Sequence, residues 1–304
     1  MNKFETYLQE TGFKPQTVYQ HRKYASYFLA WIAEQSLPLE QITYTEILDY
    51  ADHLKQKGDS IGNINHILLA VRHYFTYLQS EGQVSYNPAS GISLKGAIRG
   101  IPHDLLNKEE LGCLYESYAV NDERTHRNKV ILSLLIFQGI SNEALHKLRA
   151  DHIKLKEGKI HIPASGNTNS RILKLEAEQV MELYEYIHIT RPKILAGRGT
   201  ERPGRKPETM KAATEIQQLF ISMNGCENIK NSQYHFNQAL RKLNPKYRNS
   251  MQIRQSVITE WLKEKDLRTV QYMAGHRYVS STERYQSSNL EDLKEALSKH
   301  HPLR

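Results

Sequence analysis

The stretch AGHRYVSSTERY, residues 274–285, carries the reading of the whole chain. A Gly-His pair closes an apolar helical run, and a Tyr follows the His by nine residues. The segment DLRTVQYMAG before it reads as a helix capped by Asp266 and stopped by Gly275. SSTE at 280–283 has capping-box spacing and opens a further helix leading into Tyr285. His276 and Tyr285 are thereby expected to face one cleft. Upstream, Arg254 is expected to open a helix over 254–263. A Tyr, a His and an Arg that converge in a basic protein point to phosphodiester chemistry. The Tyr is the candidate nucleophile, although a free phenol has a pKa of about 10 and needs help to ionise. The Arg neutralises charge on the phosphate oxygens, and the His holds phosphate or moves a proton.

Composition agrees with a polyanionic partner. The chain has 304 residues, long enough for two domains, a formal net charge of +8 and an isoelectric point near 9.2. Its two cysteines, Cys113 and Cys226, lack metal-ligand spacing, which suggests a reducing cytoplasm and no metal. No segment has the length and apolarity of a signal core or a membrane span, so no membrane partner is expected. No carboxylate cluster suggests a two-metal nuclease.

Outward from the opening stretch, the periodicity divides the chain. Three amphipathic helices are expected over 16–34, 44–57 and 60–81. Their polar flanks carry Arg22, Lys23 and Arg72, candidate contacts to a DNA backbone. NPASGISLKGAIRGIPHDL (87–105) breaks the pattern with three glycines and two prolines and holds two more candidate cations, Lys95 and Arg99. A helical domain over 1–95 and a linker over 96–106 follow. The second domain, 107–304, starts with a helix capped by Asn107. It continues through the apolar helix ending at Gly139 and a short helix with Ser141 as N-cap. The period then drops to two in HIKLKEGKIHIP and SRILKL, a small antiparallel sheet. GRGTERPGRKPETMK (197–211) is Gly/Pro-rich and reads as a mobile loop. NLEDLKEALSKHH ends the chain with a Leu stripe at Leu290, Leu293 and Leu297. The fold class expected is mainly α with a small antiparallel sheet in the C-terminal domain.

The ordered set of motifs resembles the tyrosine recombinase, or phage integrase, family of Xer-like enzymes. YMAGHRYVSSTERY is similar to its Leu-Gly-His box with the nucleophilic Tyr nine residues on, MQIRQSVITEWL to its His-x-x-Arg box, and QGISNEALHKLRADHI to its first Arg box. SGNTNSRILKL sits where the family's Lys-bearing hairpin belongs, and LFIS (219–222) resembles a family strand. The resemblance implies a core-binding, SAM-like DNA-binding domain over 1–95 and a catalytic domain over 107–304. It also implies an exchange helix over 289–299 that docks on a neighbouring protomer.

The implied function is site-specific recombination or integration of double-stranded DNA through a 3′-phosphotyrosyl intermediate, without cofactor, with a second recombinase as a further partner. Tyr285, Arg254 and His276 match the family's Tyr, second Arg and last His. Ser141 stands where the first Arg belongs and Met251 where the first His belongs. Ser165 and Gly166 stand where the Lys belongs. Arg171, Lys174 and Arg149 are the candidates to compensate. The competing readings are a catalytically impaired DNA-binding partner of another recombinase and an unrelated helical regulator. The latter lacks a helix-turn-helix signal.

Overall fold

The computed structural model describes residues 1–96, 104–166, 168–196, 216–227 and 229–286, with backbone alone at 230–232. The chain divides into two compact units, Met1–Gly100 and Ile101–Arg304. Expectations about Arg99, the centre of the linker, Asn167, the 197–211 loop and the 289–299 helix lie outside the described residues.

The first unit contains α1 (Asn2–Glu10), α2 (Pro15–Glu34), α3 (Tyr44–Gln56) and α4 (Ile61–Ser80). α1 was not read from the sequence, because only Phe4 and Leu8 of its nine residues are buried. α2 starts with Pro15, where the missing N–H costs nothing. α3 starts from a Thr43–Glu46 capping box. Apolar residues three and four apart bring the helices onto a core built around Phe4, Phe28, Tyr50, Ile64 and Phe75.

The second unit opens with α5 (Lys108–Glu116), capped by Asn107 with a reciprocal bond from Glu110. α6 (Glu123–Gln138) is buried nearly all round and forms the centre of this unit. It stops at Gly139, whose φ of +53° suits a residue without Cβ. α7 (Asn142–Lys147) is capped by Ser141. Next comes the sheet, β1 (Ile153–Lys154), β2 (Lys159–Ile162) and β3 (Arg171–Lys174), antiparallel in the order β1-β2-β3. Pairing of Ile162 with Arg171 sets the register, and the alternation of β3 turns Arg171 and Leu173 inward and Ile172 and Lys174 outward.

α8 (Ala177–Glu185) runs through one π-helical stretch into α9 (Arg191–Ala196); neither was read from the sequence. α10 (Lys230–Leu243), α11 (Ser250–Glu264) and α12 (Leu267–Ala274) complete the unit, followed by a helix described over 280–286.

Three local expectations are corrected. α11 begins at Ser250, capped by Asn249, so Arg254 lies inside the helix. Residues 219–222 form no strand; the neighbouring Gln218 makes a single bridge to Arg149. The helix after His276 starts at Ser280 itself, with the N–H groups of Thr282 and Glu283 donating to Val279 O. Ser280 is therefore the first helical residue and not the cap.

Gly139 sits at the junction of α6 and α11. A Cβ there would lie 3.1 Å from the Trp261 ring and 3.3 Å from Val257. Gly139→Ala combines this contact with a left-handed backbone and is expected to cost about 1–2 kcal/mol or more. Thermal unfolding checks it, and an unchanged midpoint contradicts it.

Candidate active site

The end of α12 organises the site. Its last carbonyls have no partners within the helix, so they are satisfied from outside. Arg254, 4% exposed on α11, donates through Nη2 to Ala274 O at 2.7 Å and through Nη1 to Gly139 O. Arg171, buried on β3, donates through Nε to Met273 O at 2.7 Å. Two cations from different elements thus grip one helix end, which also favours them through its dipole. Burial lowers both guanidinium pKa values. For Arg171, burial and then the Arg254 charge bring the pKa down to about 9, so it is still a cation at neutral pH. The Nη1 and Nη2 groups of Arg171 are buried and have no hydrogen-bond partner among the described residues.

Gly275 makes this approach feasible. Its φ is +70°, and a Cβ would fall 2.6 Å from Arg171 Nη1 and 2.9 Å from Asn169 O. The glycine of the Gly-His pair is therefore required twice, by conformation and by proximity. The same turn ties in the hairpin: Asn169 N donates to Gly275 O at 2.8 Å, and Thr168 bridges His276.

His276 and Tyr285 face each other as expected. Their rings are near-parallel, 14° apart with centroids at 5.9 Å. Thr282, buried on the Tyr285 helix, shares a 2.8 Å hydrogen bond with His276 Nδ1, which leaves Nε2 as the ring's other polar atom. Burial first, then the charges of Arg254, Arg171 and Arg284, hold the His276 pKa down at about 4. Tyr285 is 4% exposed and packs with Ile258, Val270 and Ala274. Among the described residues its hydroxyl makes no hydrogen bond.

Hydroxyls stand where the resemblance leads one to look for cations. Ser141 Oγ lies 3.4 Å from Ser165 Oγ, which lies 2.9 Å from Thr168 Oγ1. Ser141 also accepts from Ala144 N at 3.2 Å as the α7 cap. Met251 is 55% exposed.

Of the three candidates to compensate, Arg171 alone reaches Arg254 and the end of α12. Arg149 is turned onto Asp151, with Nε and Nη2 at 3.0 and 2.9 Å from its carboxylate. Lys174 lies on the outward face of β3, opposite Arg171. The sequence reading missed Thr282, concealed as an ordinary helix residue. It also missed Arg284, whose guanidinium carbon lies 5.5 Å from the Tyr285 ring centroid. A cation beside the candidate nucleophile was the available signal for Arg284.

In the first unit, Arg22 pairs with Glu5 at 2.8 Å and Lys23 lies over the Tyr27 ring at 5.6 Å. Arg72 is turned inward, donating to Ala89 O and Ile92 O, so it braces the 89–92 turn; Lys95 is exposed. Among the described residues no group of His, Cys, Asp or Glu could hold a metal ion, and no helix is long and apolar enough to cross a membrane.

Known proteins are similar to this chain over nearly its whole length. The phage integrase family model matches residues 105–292, and the model of the phage integrase N-terminal SAM-like domain matches residues 1–82. The tyrosine recombinase XerC of Anoxybacillus flavithermus is 27% identical over 315 residues, covering 99% of this chain and 97% of that protein. The tyrosine recombinase XerD of Vibrio vulnificus is 22% identical, covering 96% and 92%. Among solved structures, the post-cleavage complex of the XerH site-specific recombinase with its difH substrate matches with a TM-score of 0.65 and 22% identity. That match covers 86% of this chain and 73% of XerH. A lambda integrase dimer bound to a core site matches with a TM-score of 0.62 and 14% identity, covering 93% of each chain. At these identities the structural matches speak for the fold.

The His276 environment gives a pH prediction. An unfolded histidine takes up a proton near pH 6.5, whereas folded His276 does so near about 4. Between those values the unfolded state binds the extra proton. This group therefore contributes stability that is full above about 6.5 and is lost as the pH falls toward 4. In the DNA-free protein, the His276 ring resonances should stay constant from pH 8 to about 5.5. A titration midpoint near 6.5 contradicts the buried, cation-flanked setting.

Proposed function

Because the chain belongs to the phage integrase family, we propose that it is a site-specific DNA recombinase acting through a 3′-phosphotyrosyl link to Tyr285, with Arg171 in place of the missing first Arg. The observation that carries this reading is the pair of unpartnered, buried Nη groups of Arg171, held beside Arg254 on the same helix end. A buried donor without an acceptor is unfavourable, and a non-bridging phosphate oxygen would supply the acceptor. Arg254 uses its own Nη groups on two carbonyls. Its part is therefore to fix the helix end and add charge at short range.

In this reading Tyr285 Oη attacks phosphorus and the bond to the 5′ oxygen breaks. The 5′-hydroxyl of a partner strand later reverses the step, so the ester conserves the bond energy and no nucleotide is consumed. His276, neutral in the free protein, offers a hydrogen bond to the phosphate through Nε2; its Nδ1 partner Thr282 fixes the ring. On the hairpin side Ser165 and Thr168 stand where the family's Lys would, and the Lys147 ammonium is engaged on Ala164 O, so no described ammonium is assigned to the leaving oxygen. A hydroxyl is a far weaker acid than a Lys ammonium, so cleavage is slow and leans on the leaving group.

Residues 1–95 would form the DNA-binding domain, with 96–106 as linker and 107–304 as catalytic domain. Lys23 and Lys95 suit backbone contact in this scheme, and Arg72 is better understood as a structural brace. The 289–299 helix would mediate self-association on DNA, and a second recombinase could take the partner's place.

Binding to the full chain would first be used to select duplexes from a random-sequence pool. These would then be synthesised with a 5′-bridging sulfur at successive central positions. A thiolate leaves without protonation, so a covalent adduct should form far more readily than on the oxygen ester. Tyr285→Phe should abolish the adduct at nearly unchanged DNA affinity. Arg171→Ala should slow it by about 10²-fold, the scale of losing one transition-state donor. Ser141→Arg should give no gain, since Arg171 already fills the role. Absence of any adduct on the sulfur substrates would leave a DNA-binding partner without chemistry, and a gain from Ser141→Arg with no loss from Arg171→Ala would remove Arg171 from the site.

A further inference from the structure

Arg284 has a placement that the fold does not account for. Neighbouring residues on a helix diverge by about 100°, so a cation just before Tyr285 would ordinarily point away from the site. Its guanidinium carbon instead lies 5.5 Å from the Tyr285 ring centroid, within cation–π range. Its Nε is buried and has no hydrogen-bond partner, and no carboxylate pairs with it among the described residues. Its charge reaches His276 and contributes, after burial, Arg254 and Arg171, to holding that imidazole neutral. The charges of three guanidinium groups therefore act on one imidazole, and two of them, Arg171 and Arg284, carry buried donors without a hydrogen-bond partner among the described residues.

We propose that Arg284 is a further catalytic residue, donating to a non-bridging oxygen of the phosphate while that phosphate becomes linked to Tyr285. The inference rests on the phosphotyrosyl reading above. In the step concerned the Tyr285 Oη–P bond forms and the P–O5′ bond breaks. The phenolic proton leaves to solvent and a proton from solvent reaches O5′. The diester carries one negative charge before and after the step, and in between the charge brought by the phenolate adds to that on the two non-bridging oxygens and on O5′. Arg171 and Arg254 are fixed to the end of α12, on the core side of that charge. Arg284 is on the nucleophile's own helix, so it travels with Tyr285. Any adjustment that brings the phenol oxygen to phosphorus brings this third cation with it, and it stays beside the phosphate once the link has formed. With no Lys identified on the hairpin, such a cation adds transition-state stabilisation that depends on no proton transfer.

The test compares nicked duplexes, of sequence selected by binding as above, carrying at the scissile position either an ordinary phosphate or a methylphosphonate. The methylphosphonate has lost the negative non-bridging oxygen. Rates of covalent adduct formation are measured for the wild-type full chain, Arg284→Ala, Arg284→Gln and Arg284→Lys, each at saturating protein. On phosphate, Arg284→Ala and Arg284→Gln should be slower than wild type by about 10²-fold, with Arg284→Lys between. On methylphosphonate the difference from wild type should shrink to within about threefold, because the charge that Arg284 met is gone. A variant that is merely misfolded loses the same factor on both substrates, so the ratio between substrates isolates the contact. Equal losses on both, or no loss on phosphate, overturn the proposal while leaving the phosphotyrosyl reading intact. Failure of the wild-type chain to form an adduct on either substrate overturns both.

Discussion

The end of α12 is the constraint on which the site depends. Met273 O and Ala274 O cannot be satisfied within their helix, and each receives a buried guanidinium from a different part of the unit. Arg254 also holds Gly139 O, the stop of the central helix α6. One side chain therefore ties together three helices, α6, α11 and α12, and Arg171 adds the sheet. Gly275 has to lack a side chain so that Arg171 can come so close. His276 follows directly, and its bond to Thr282 passes the alignment on to the helix that carries Tyr285. Placing like charges this close is unfavourable in the free protein. In the function proposed, a phosphate diester would offset that cost.

Much of this was legible in the sequence, for identifiable reasons. The caps at Asn107, Ser141 and Asp266, the stops at Gly139 and Gly275, and the alternation in β2 and β3 are local signals, and the chain follows them. The facing of His276 and Tyr285 was legible because a helix stop and a helix start sit close together. What was not legible depends on long-range packing. Arg171, Lys174 and Arg149 could not be ranked from spacing, because the decision lies in which face of β3 turns inward and in the Asp151 carboxylate beside Arg149. The capping-box pattern at 280–283 misled by one residue, since the Val279 carbonyl had already started the helix. α1, with two buried residues, and α8–α9, interrupted by a π-helical stretch, gave too weak a periodicity.

The exchange of cations for hydroxyls is a chemical change as much as a loss. Ser141 both caps α7 and joins Ser165 and Thr168 in a chain of hydroxyls on the hairpin side of the site. Such a chain carries no net charge and supplies no strong acid. The positive charge acting on His276 comes instead from Arg171, Arg254 and Arg284. In the function proposed, such a site would stabilise the phosphate more than the leaving oxygen.

If Arg171 and Arg254 act as one unit on one phosphate, their contributions to adduct formation must be strongly non-additive. A double-mutant cycle on the bridging-sulfur duplex measures this directly, with Arg171→Ala, Arg254→Ala and the double variant compared with the wild-type chain. The account predicts that the double variant is at most about threefold slower than the slower single variant. Losses that multiply, each variant acting by its full factor regardless of the other, would contradict a shared guanidinium site at the end of α12.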